Sequence, residues 1–300
     1  MPQPDMRLAA NQPVLRQLEW RVRHAADAAI SGDYRTAFRG RGREFDQVVR
    51  YEWGDDVRDI DWNVTARLGE PYRKKFVEER ELTVALIVED NASLGFGSGA
   101  RTKRDALLEM AGLFALLAAH NRDRVGLWHV RSDETIVHRP ERGRAQIVRR
   151  AAELLASKPA MTEPGEPARE IDWVRFSHVF PRHTVVIWLG DFPPRPMPEH
   201  WRAMRRRFEV VGVRVDDPWE RELPEGGMLS VVDPVQGELV PFDPSSRETM
   251  RRHAAWRAER EGRFDELFPS KLQQIAFCTN DDPIDTLVRF FRSRMHVMGA

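Results

Sequence analysis

Five short apolar runs are spread along the chain, and each is closed by polar, glycine or turn-forming residues. They occupy residues 83–88, 124–130, 185–189, 209–215 and 274–278. Because these runs do not alternate with polar residues, they predict strands that are covered on both faces, as in a parallel sheet with helices on either side. The pattern therefore predicts an α/β fold with a doubly wound, mostly parallel, Rossmann-like sheet.

Helices are predicted between and after these strands, chiefly from apolar residues at spacings of three and four. They cover residues 14–31, 102–120, 145–156, 245–267 and 284–294, and a hairpin is predicted at 229–232 and 238–242. Residues 40–62 are aromatic-rich and alternating, which indicates strands and loops outside the main sheet. The predicted organisation is an N-terminal helix and β-rich extension over residues 1–81, followed by a main domain over residues 82–298.

Acidic and basic residues are balanced, with 47 of each among 300 residues. A neutral chain has no global field that would recruit nucleic acid or an anionic membrane, so neither partner is expected. Cys278 is the single cysteine, which excludes a disulfide framework and a multi-cysteine metal site. No apolar stretch approaches the roughly 20 residues of a membrane span. We expect a cytoplasmic protein without a membrane span.

Polar side chains directly follow two of the predicted strands. Glu89, Asn91 and Ser93 come after the first strand, and Asp191 comes after a later one. In a doubly wound sheet, ligands bind at the carboxyl ends of the strands, near the point where strand order reverses. Two carboxylates, a hydroxyl and an amide oxygen there could form an oxygen-only site for a magnesium-like ion.

These residues resemble the ion loop of a von Willebrand factor A-like domain, which has Asp-x-Ser-x-Ser after its first strand, a threonine on a second loop and a later aspartate. Ser93 and Asp191 match that pattern, Thr162 is the candidate threonine, and Glu89 and Asn91 depart from it. Magnesium requires near-ideal octahedral geometry, which the longer glutamate and the bulkier amide disturb. The resemblance therefore implies a degenerate metal-ion-dependent adhesion loop. We expect no tightly bound cofactor and leave weak Mg²⁺ binding open.

A second group of acids lies in residues 50–67, where Asp55, Asp56, Asp59 and Asp61 stand among arginines and tryptophans. Mixed charge beside aromatic residues favours a hydrogen-bonded salt-bridge network that locks the extension onto the sheet. The alternative is a metal-dependent hydrolase or nuclease that uses these aspartates. No histidine or lysine stands at a spacing that makes a general base evident, which favours the structural interpretation.

The same segment resembles a second family. The order Gly-x-Gly-x-Glu-Phe (40–45), Arg-Tyr-x-x-Gly-Asp-Asp-x-Arg-x-Ile-Asp-Trp (50–62), Ala-Arg (66–67) and Phe-x-Glu-x-Arg (76–80) is similar to the bacterial domain-of-unknown-function 58 (DUF58) family. That family usually has an arginine where this chain has Val49. Its members join this motif to a von Willebrand A-like domain and are commonly encoded beside MoxR-type AAA+ ATPases. The resemblance implies partner-binding or signature roles for Arg50, Tyr51, Gly54, Asp55, Asp56, Arg58, Asp61, Trp62, Arg67, Glu89, Asp90 and Ser93.

Three functional hypotheses follow. The first is a non-enzymatic, chaperone-like adaptor, which the resemblance pairs with a MoxR-type AAA+ ATPase in the assembly or remodelling of another protein. The second is the metal-dependent hydrolase or nuclease based on the Asp55–Asp61 cluster. The third is nucleic-acid binding through the arginine clusters, which would show steep salt dependence and which the neutral net charge disfavours.

Overall fold

The computed structural model describes residues 16, 33–34, 37–38, 44–77, 81–159, 169–233 and 238–298. By its internal contacts the chain divides into a smaller unit, Arg39–Glu81, and a larger unit made of Met1–Phe38 and Leu82–Ala300. The smaller unit is therefore an insertion, in sequence, between two parts of the larger one.

The smaller unit is built on an antiparallel ladder between β1 (Glu44–Arg50) and β2 (Tyr72–Val77). A 3-10 turn (Val57–Asp59) and the helix α1 (Trp62–Leu68) lie between these strands. Because the sequence predicted only strands and loops here, α1 is a correction. Its seven residues are too few to show helical periodicity.

The larger unit contains a six-stranded central sheet and a separate hairpin. Its strands are β3 (Thr83–Asp90), β4 (Arg124–Arg131), β5 (Thr135–Glu141), β6 (Val185–Gly190), β7 (Glu209–Asp216), β8 (Leu229–Val232), β9 (Leu239–Phe242) and β10 (Gln274–Cys278). The sheet order is β10-β7-β6-β3-β4-β5, and β8 pairs with β9. All neighbours in the central sheet are parallel except β4 and β5. The protein is thus a mixed α/β structure with a mostly parallel central sheet, as the apolar runs predicted.

The helices of the described part of this unit are α2 (Lys103–His120), α3 (Arg144–Leu155), α4 (Trp173–Val179), α5 (Trp201–Arg207), α6 (Pro218–Arg221), α7 (Arg247–Leu267) and α8 (Pro283–Met298). The predicted helices over 102–120, 145–156, 245–267 and 284–294 are confirmed, whereas α4 and α6 were not predicted. Within the described ranges, no helix combines the length and the apolar character needed to cross a membrane.

Both faces of the central sheet are buried. Successive residues of a strand point to opposite faces, and in β3 Leu86 and Val88 belong to one apolar cluster while Ala85 and Ile87 belong to another. The first cluster includes most of the apolar side chains of α2. The second is rich in aromatic rings, including those of α4 and α5. This two-sided burial is the reason that the strands are apolar throughout.

Residues just before the smaller unit pack in the larger one. The rings of Tyr34 and Phe38 lie edge-on to Phe291 of α8, with centroids 5.7 and 5.9 Å away, and Arg294 Nε donates to the carbonyl of Ala37 at 3.1 Å. The sequence had grouped residues 1–81 in one extension, whereas these contacts place the described residues before Arg39 in the larger unit. The predicted helix over 14–31 lies outside the described residues, apart from its position 16.

Candidate functional site

The polar residues predicted to form a site lie at the carboxyl ends of β3 and β6. Glu89 and Asp90 are the last residues of β3, and Asp191 directly follows β6. The sequence placed Glu89 and Asp90 in a loop that faces a partner, but both are within the strand and only 3% exposed. The strand is longer than predicted because its ladder with β4 continues to the pair Asp90–Arg131. The expectation that these two acids contact a partner directly is therefore corrected.

The loop after β3 reaches Asp191 through a hydroxyl. Ser93 Oγ lies 2.6 Å from Oδ2 of Asp191 and 2.7 Å from Oδ1 of Asn91. Asp191 is buried, while Ser93 and Asn91 are half-buried. The predicted site residues Asn91, Ser93 and Asp191 thus converge, whereas Thr162 lies outside the described residues.

A lysine that the sequence analysis missed stands at the centre of the site. Lys103 is the first residue of α2, and its Nζ lies 3.2 Å from Oδ2 of Asp191 and 2.7 Å from Oε1 of Glu220. The Lys103 side chain is only 3% exposed. Burial alone would lower the pKa of this ammonium, but Asp191 and Glu220 outweigh burial and hold that pKa above its ordinary value. Lys103 is therefore a buried, permanently charged cation at neutral pH.

The position of Lys103 beside Asp191 is fixed by the start of helix α2, which is well defined. Thr102 is the N-cap, and it forms a capping box with Asp105, in which each side chain bonds the other residue's backbone N–H. A charged residue in a capped first turn is typical of an exposed helix start. The signal that could have identified Lys103 is its rarity, since the chain has five lysines and this one starts the α-helix that comes after the ion-like loop.

A guanidinium ties the ends of β6 and β7 to α7. Arg260 Nη1 lies 3.0 Å from Oδ1 of Asp216 and 3.4 Å from Oε2 of Glu220. The same side chain donates from Nε and Nη2 to the carbonyl oxygen of Asp191, at 2.8 and 2.5 Å. Burial would raise the pKa of the Asp191 carboxyl, but Lys103, the Ser93 hydroxyl and Arg260 together hold it below its ordinary value.

Glu89 is engaged by a second guanidinium. Arg195 donates to both of its carboxylate oxygens, at 2.8 and 2.7 Å, and Trp188 Nε1 donates to Oε2 at 2.9 Å. The guanidinium also stacks over the Trp188 ring, 5.3 Å from its centroid. Burial would lower the pKa of Arg195, but the charge of Glu89 raises it overall. Glu89 is therefore a structural acid in a bidentate ion pair.

Asp90, also on β3, forms a third buried network, which reaches the neighbouring strand β4. Arg104 donates to both of its oxygens at 2.7 Å, and His129 Nε2 lies 2.9 Å from Oδ2. Arg104 also donates to Ser157 Oγ at the end of α3. Burial would raise the pKa of Asp90, but the hydrogen bonds from His129 and Arg104 lower it overall. This network joins β3, β4, α2 and the residues after α3.

These residues do not fit a divalent cation. The Lys103 ammonium already contacts Asp191, and both oxygens of Glu89 are engaged by Arg195. Oδ1 of Asp191 is a buried oxygen without a hydrogen-bond partner, but a single such oxygen falls well short of the six ligands that magnesium takes. Among the described residues, no group of three or more His, Cys, Asp or Glu side chains is arranged to hold a metal ion.

Three of the four aspartates of the 50–67 segment accept hydrogen bonds from backbone N–H groups. Asp56 accepts from Arg58 N at 2.9 Å and starts the 3-10 turn. Asp61 caps α1 by accepting from the N–H groups of residues 63 and 64, at 3.0 and 3.2 Å. Asp55 accepts from the N–H of residue 52 and pairs with Arg73 of β2 at 2.5 Å. Such contacts stabilise turns and helix ends, which are the uses expected of short polar side chains there.

Other signature residues shape the same turn. Tyr51 Oη donates to the carbonyl of Asp55 at 3.0 Å, and Gly54 has φ of 108°, in the region that favours glycine. Arg50 forms an ion pair with Glu70.

Large side chains of this unit are exposed, although they lie in a folded segment. The 3-10 turn and α1 bury no residue, and Arg58 and Arg67 are both exposed. Exposed large apolar residues of the unit are Trp53 (101%), Val57 (59%), Trp62 (67%) and Leu68 (58%).

Comparison with known families identifies the chain. The family model described as "Protein of unknown function DUF58" matches residues 47–263, which include the signature from residue 50 onward, five of the six strands of the central sheet and most of α7. This protein belongs to the DUF58 family. Within it, this chain is 30% identical over 298 residues to uncharacterized proteins of Mycobacterium bovis and Mycobacterium tuberculosis, covering 97% of this chain and 90% of each relative. The predicted family is therefore confirmed, and its relatives are bacterial.

Two solved structures are similar to this DUF58 protein. One is the conserved hypothetical protein BatB from Bacteroides thetaiotaomicron, with a TM-score of 0.41 and 10% identity over 73% of this chain and 98% of that one. The other is an uncharacterized membrane-spanning protein from Vibrio fischeri, with a TM-score of 0.23 and 14% identity over 73% and 99%. At scores this low, neither likeness carries a conclusion about fold or function.

Removing the Lys103 ammonium tests whether its ion pairs with Asp191 and Glu220 stabilise the fold. Lys103→Met keeps an unbranched apolar stem but removes the ammonium from between the Asp191 and Glu220 carboxylates. We expect the variant to lose roughly 3–5 kcal/mol of unfolding free energy at pH 7, the usual cost of breaking a buried ion pair. Urea denaturation measures this. Lys158→Met removes an exposed lysine and is the control; equal small losses in both variants would contradict the assignment.

The lowered carboxyl pKa values predict an acid dependence. Because Asp90 and Asp191 have folded-state pKa values below the ordinary value of about 3.9, their stabilisation is present above about pH 4 and is lost as the pH falls through the folded-state values. We expect the unfolding free energy of the wild type to fall below about pH 4, and that of Asp191→Asn to fall less over the same range. Urea denaturation at stepped pH tests this, and parallel pH profiles would show that Asp191 contributes nothing.

Proposed function

We propose that this DUF58 protein is a non-enzymatic adaptor that binds a protein partner through its smaller unit. The observation that carries the proposal is the exposure of Trp53, which lies in a hydrogen-bonded turn, and of Trp62, which is the first residue of the capped helix α1. Tryptophan is enriched among the few residues that supply most of the binding energy at protein interfaces. Two such rings fully or largely in water, near Val57 and Leu68, suit a surface that is covered in a complex.

The chemistry of the acids supports an adaptor over an enzyme. A metal-dependent hydrolase would need carboxylates that are free to bind metal or to move protons. In the 50–67 segment, Asp55, Asp56 and Asp61 instead accept backbone N–H groups. At the strand ends, Glu89 and Asp191 are held by internal cations. These acids have structural uses that account for them.

We further propose that the central fold is a doubly wound, von Willebrand A-like sheet whose ion position is taken by a side chain. The contact of Ser93 with Asp191 supports this, as does burial on both faces of the sheet. In this proposal the Lys103 ammonium replaces a divalent cation, so the degenerate loop stabilises the fold and needs no cofactor.

The partner we propose is a MoxR-type AAA+ ATPase, acting with this protein in the assembly or remodelling of a third protein. Membership of DUF58 supports this choice, because the signature resembles proteins that are commonly encoded beside such ATPases. In that arrangement the smaller unit would contact the ATPase, and the larger unit would supply a rigid body.

Truncating the exposed tryptophans should weaken the complex. We expect Trp53→Ala with Trp62→Ala to reduce affinity for a purified MoxR-type ATPase from the same organism at least tenfold, since interface tryptophans often contribute more than the 1.4 kcal/mol that corresponds to this factor. Biolayer interferometry, with and without nucleotide, measures the affinity.

The control is Val174→Ala with Met197→Ala, which removes exposed apolar side chains from the larger unit and should leave binding unchanged. If the wild type fails to bind the ATPase in every nucleotide state, or if the tryptophan variant binds equally well, the proposed adaptor role is wrong.

The ammonium-for-metal replacement has its own test. Titration of Mg²⁺ or Mn²⁺ into chelator-treated wild type should give no saturable heat in the micromolar range, because Lys103 opposes a second cation at Asp191. Isothermal titration calorimetry is the measurement. Saturable micromolar binding that disappears in Asp191→Ala with Ser93→Ala would overturn the replacement.

A further inference from the structure

The larger unit contains an acidic and partly apolar segment. Its described residues, 222–233 and 238–246, here called the acidic arm, contain Glu222, Glu225, Asp233, Glu238 and Asp243 and no Lys, Arg or His, giving a net charge of −5 in a chain that is neutral as a whole. The hairpin of β8 and β9 lies within the arm. This segregation of charge indicates a surface with its own electrostatic preference.

The hairpin of this arm is largely open to water. Its two strands pair only with each other among the described strands. Two-stranded hairpins are marginally stable alone and gain stability when an apolar face is covered. The exposed large apolar side chains at the hairpin are Met228 (69%), Val232 (55%), Leu239 (71%) and Val240 (39%).

The same unit carries a surface of opposite charge. Residues 139–150, from the edge strand β5 into α3, contain five arginines and one glutamate, a net charge of +4. A cleft of about 320 Å³ opens there, here called the arginine cleft. It is lined by Glu141, Arg142, Gln146, Arg149 and Arg150.

The arginine cleft retains capacity for further carboxylates. Arg149 and Arg150 share one acid, Glu153, at 2.9 and 2.8 Å, and Arg150 also lies 3.5 Å from Glu141. The side chain of Arg149 is 71% exposed. Guanidinium groups donate two N–H groups to one carboxylate in a bidentate manner, and the aliphatic stems of arginines can cover apolar side chains.

We propose that this protein self-associates, and that the acidic arm of one copy binds in the arginine cleft of a second copy. Charge complementarity selects the occupant: an arm of charge −5 with exposed apolar residues matches a cleft whose lining residues carry a net charge of +2 and present long arginine stems. Both surfaces are present on every molecule. In a reciprocal dimer, each copy gives one arm and receives one. The exposed tryptophans of the smaller unit take no part, so this inference is independent of the adaptor role.

Charge reversal on the two surfaces tests the pairing. The arm variant carries Glu225→Arg and Glu238→Arg, and the cleft variant carries Arg142→Glu and Arg149→Glu. Sedimentation velocity over about 1–100 μM, at low and high salt, is expected to show a wild-type dimer that weakens with salt. Each variant alone should dissociate at least tenfold more readily, and an equimolar mixture of the two should restore a dimer.

Arg205→Glu with Arg206→Glu reverses two exposed arginines of α5 and should leave the wild-type dimer unchanged. Circular dichroism of each variant establishes that it is folded. A wild type that stays monomeric over the whole concentration range overturns the proposal, and so does a folded arm or cleft variant that dimerises as the wild type does. Failure of the mixture to dimerise also overturns it.

Discussion

The buried ammonium of Lys103 holds polar atoms from several segments of this DUF58 protein together in the interior. Asp191 comes from the end of β6, Glu220 from α6, and Ser93 from the loop after β3. A carboxylate taken out of water alone would be neutralised or expelled, but beside a buried ammonium it stays ionised. A single cation on the first turn of α2 therefore determines how three strand ends are joined.

Arginine side chains neutralise the other buried carboxylates around Lys103 in a similar way. Glu89 is held by Arg195 and Asp90 by Arg104, each through two parallel hydrogen bonds. A planar guanidinium suits one carboxylate that needs both oxygens satisfied, whereas an ammonium suits a position between two different carboxylates. Lys103 stands in the second kind of position. The charged side chains at the carboxyl edge of the sheet are thus paired with one another, and this pairing fixes their positions.

Much of the fold was predictable because burial on both faces leaves a direct record in sequence. The apolar runs gave the strands, and the closing polar residues gave the meeting of Ser93 with Asp191. The role of Lys103 was not predictable from spacing, since a charged residue in a capped first turn is usually solvated. Glu89 and Asp90 were predicted wrongly for a related reason. Acids after an apolar run usually indicate that a strand has ended. Here the guanidinium groups of Arg195 and Arg104 neutralise the two acids, and the strand continues through them.

The contacts of α8 have a consequence for biosynthesis. Phe291 packs against Tyr34 and Phe38, and the hydrogen bond from Arg294 to Ala37 spans 257 positions of the chain. Chains emerge from the ribosome with the N-terminus first and fold by units. The smaller unit forms its ladder entirely within Arg39–Glu81 and can become native early. The larger unit must wait for its final helix, so its apolar surface is the one exposed longest during synthesis.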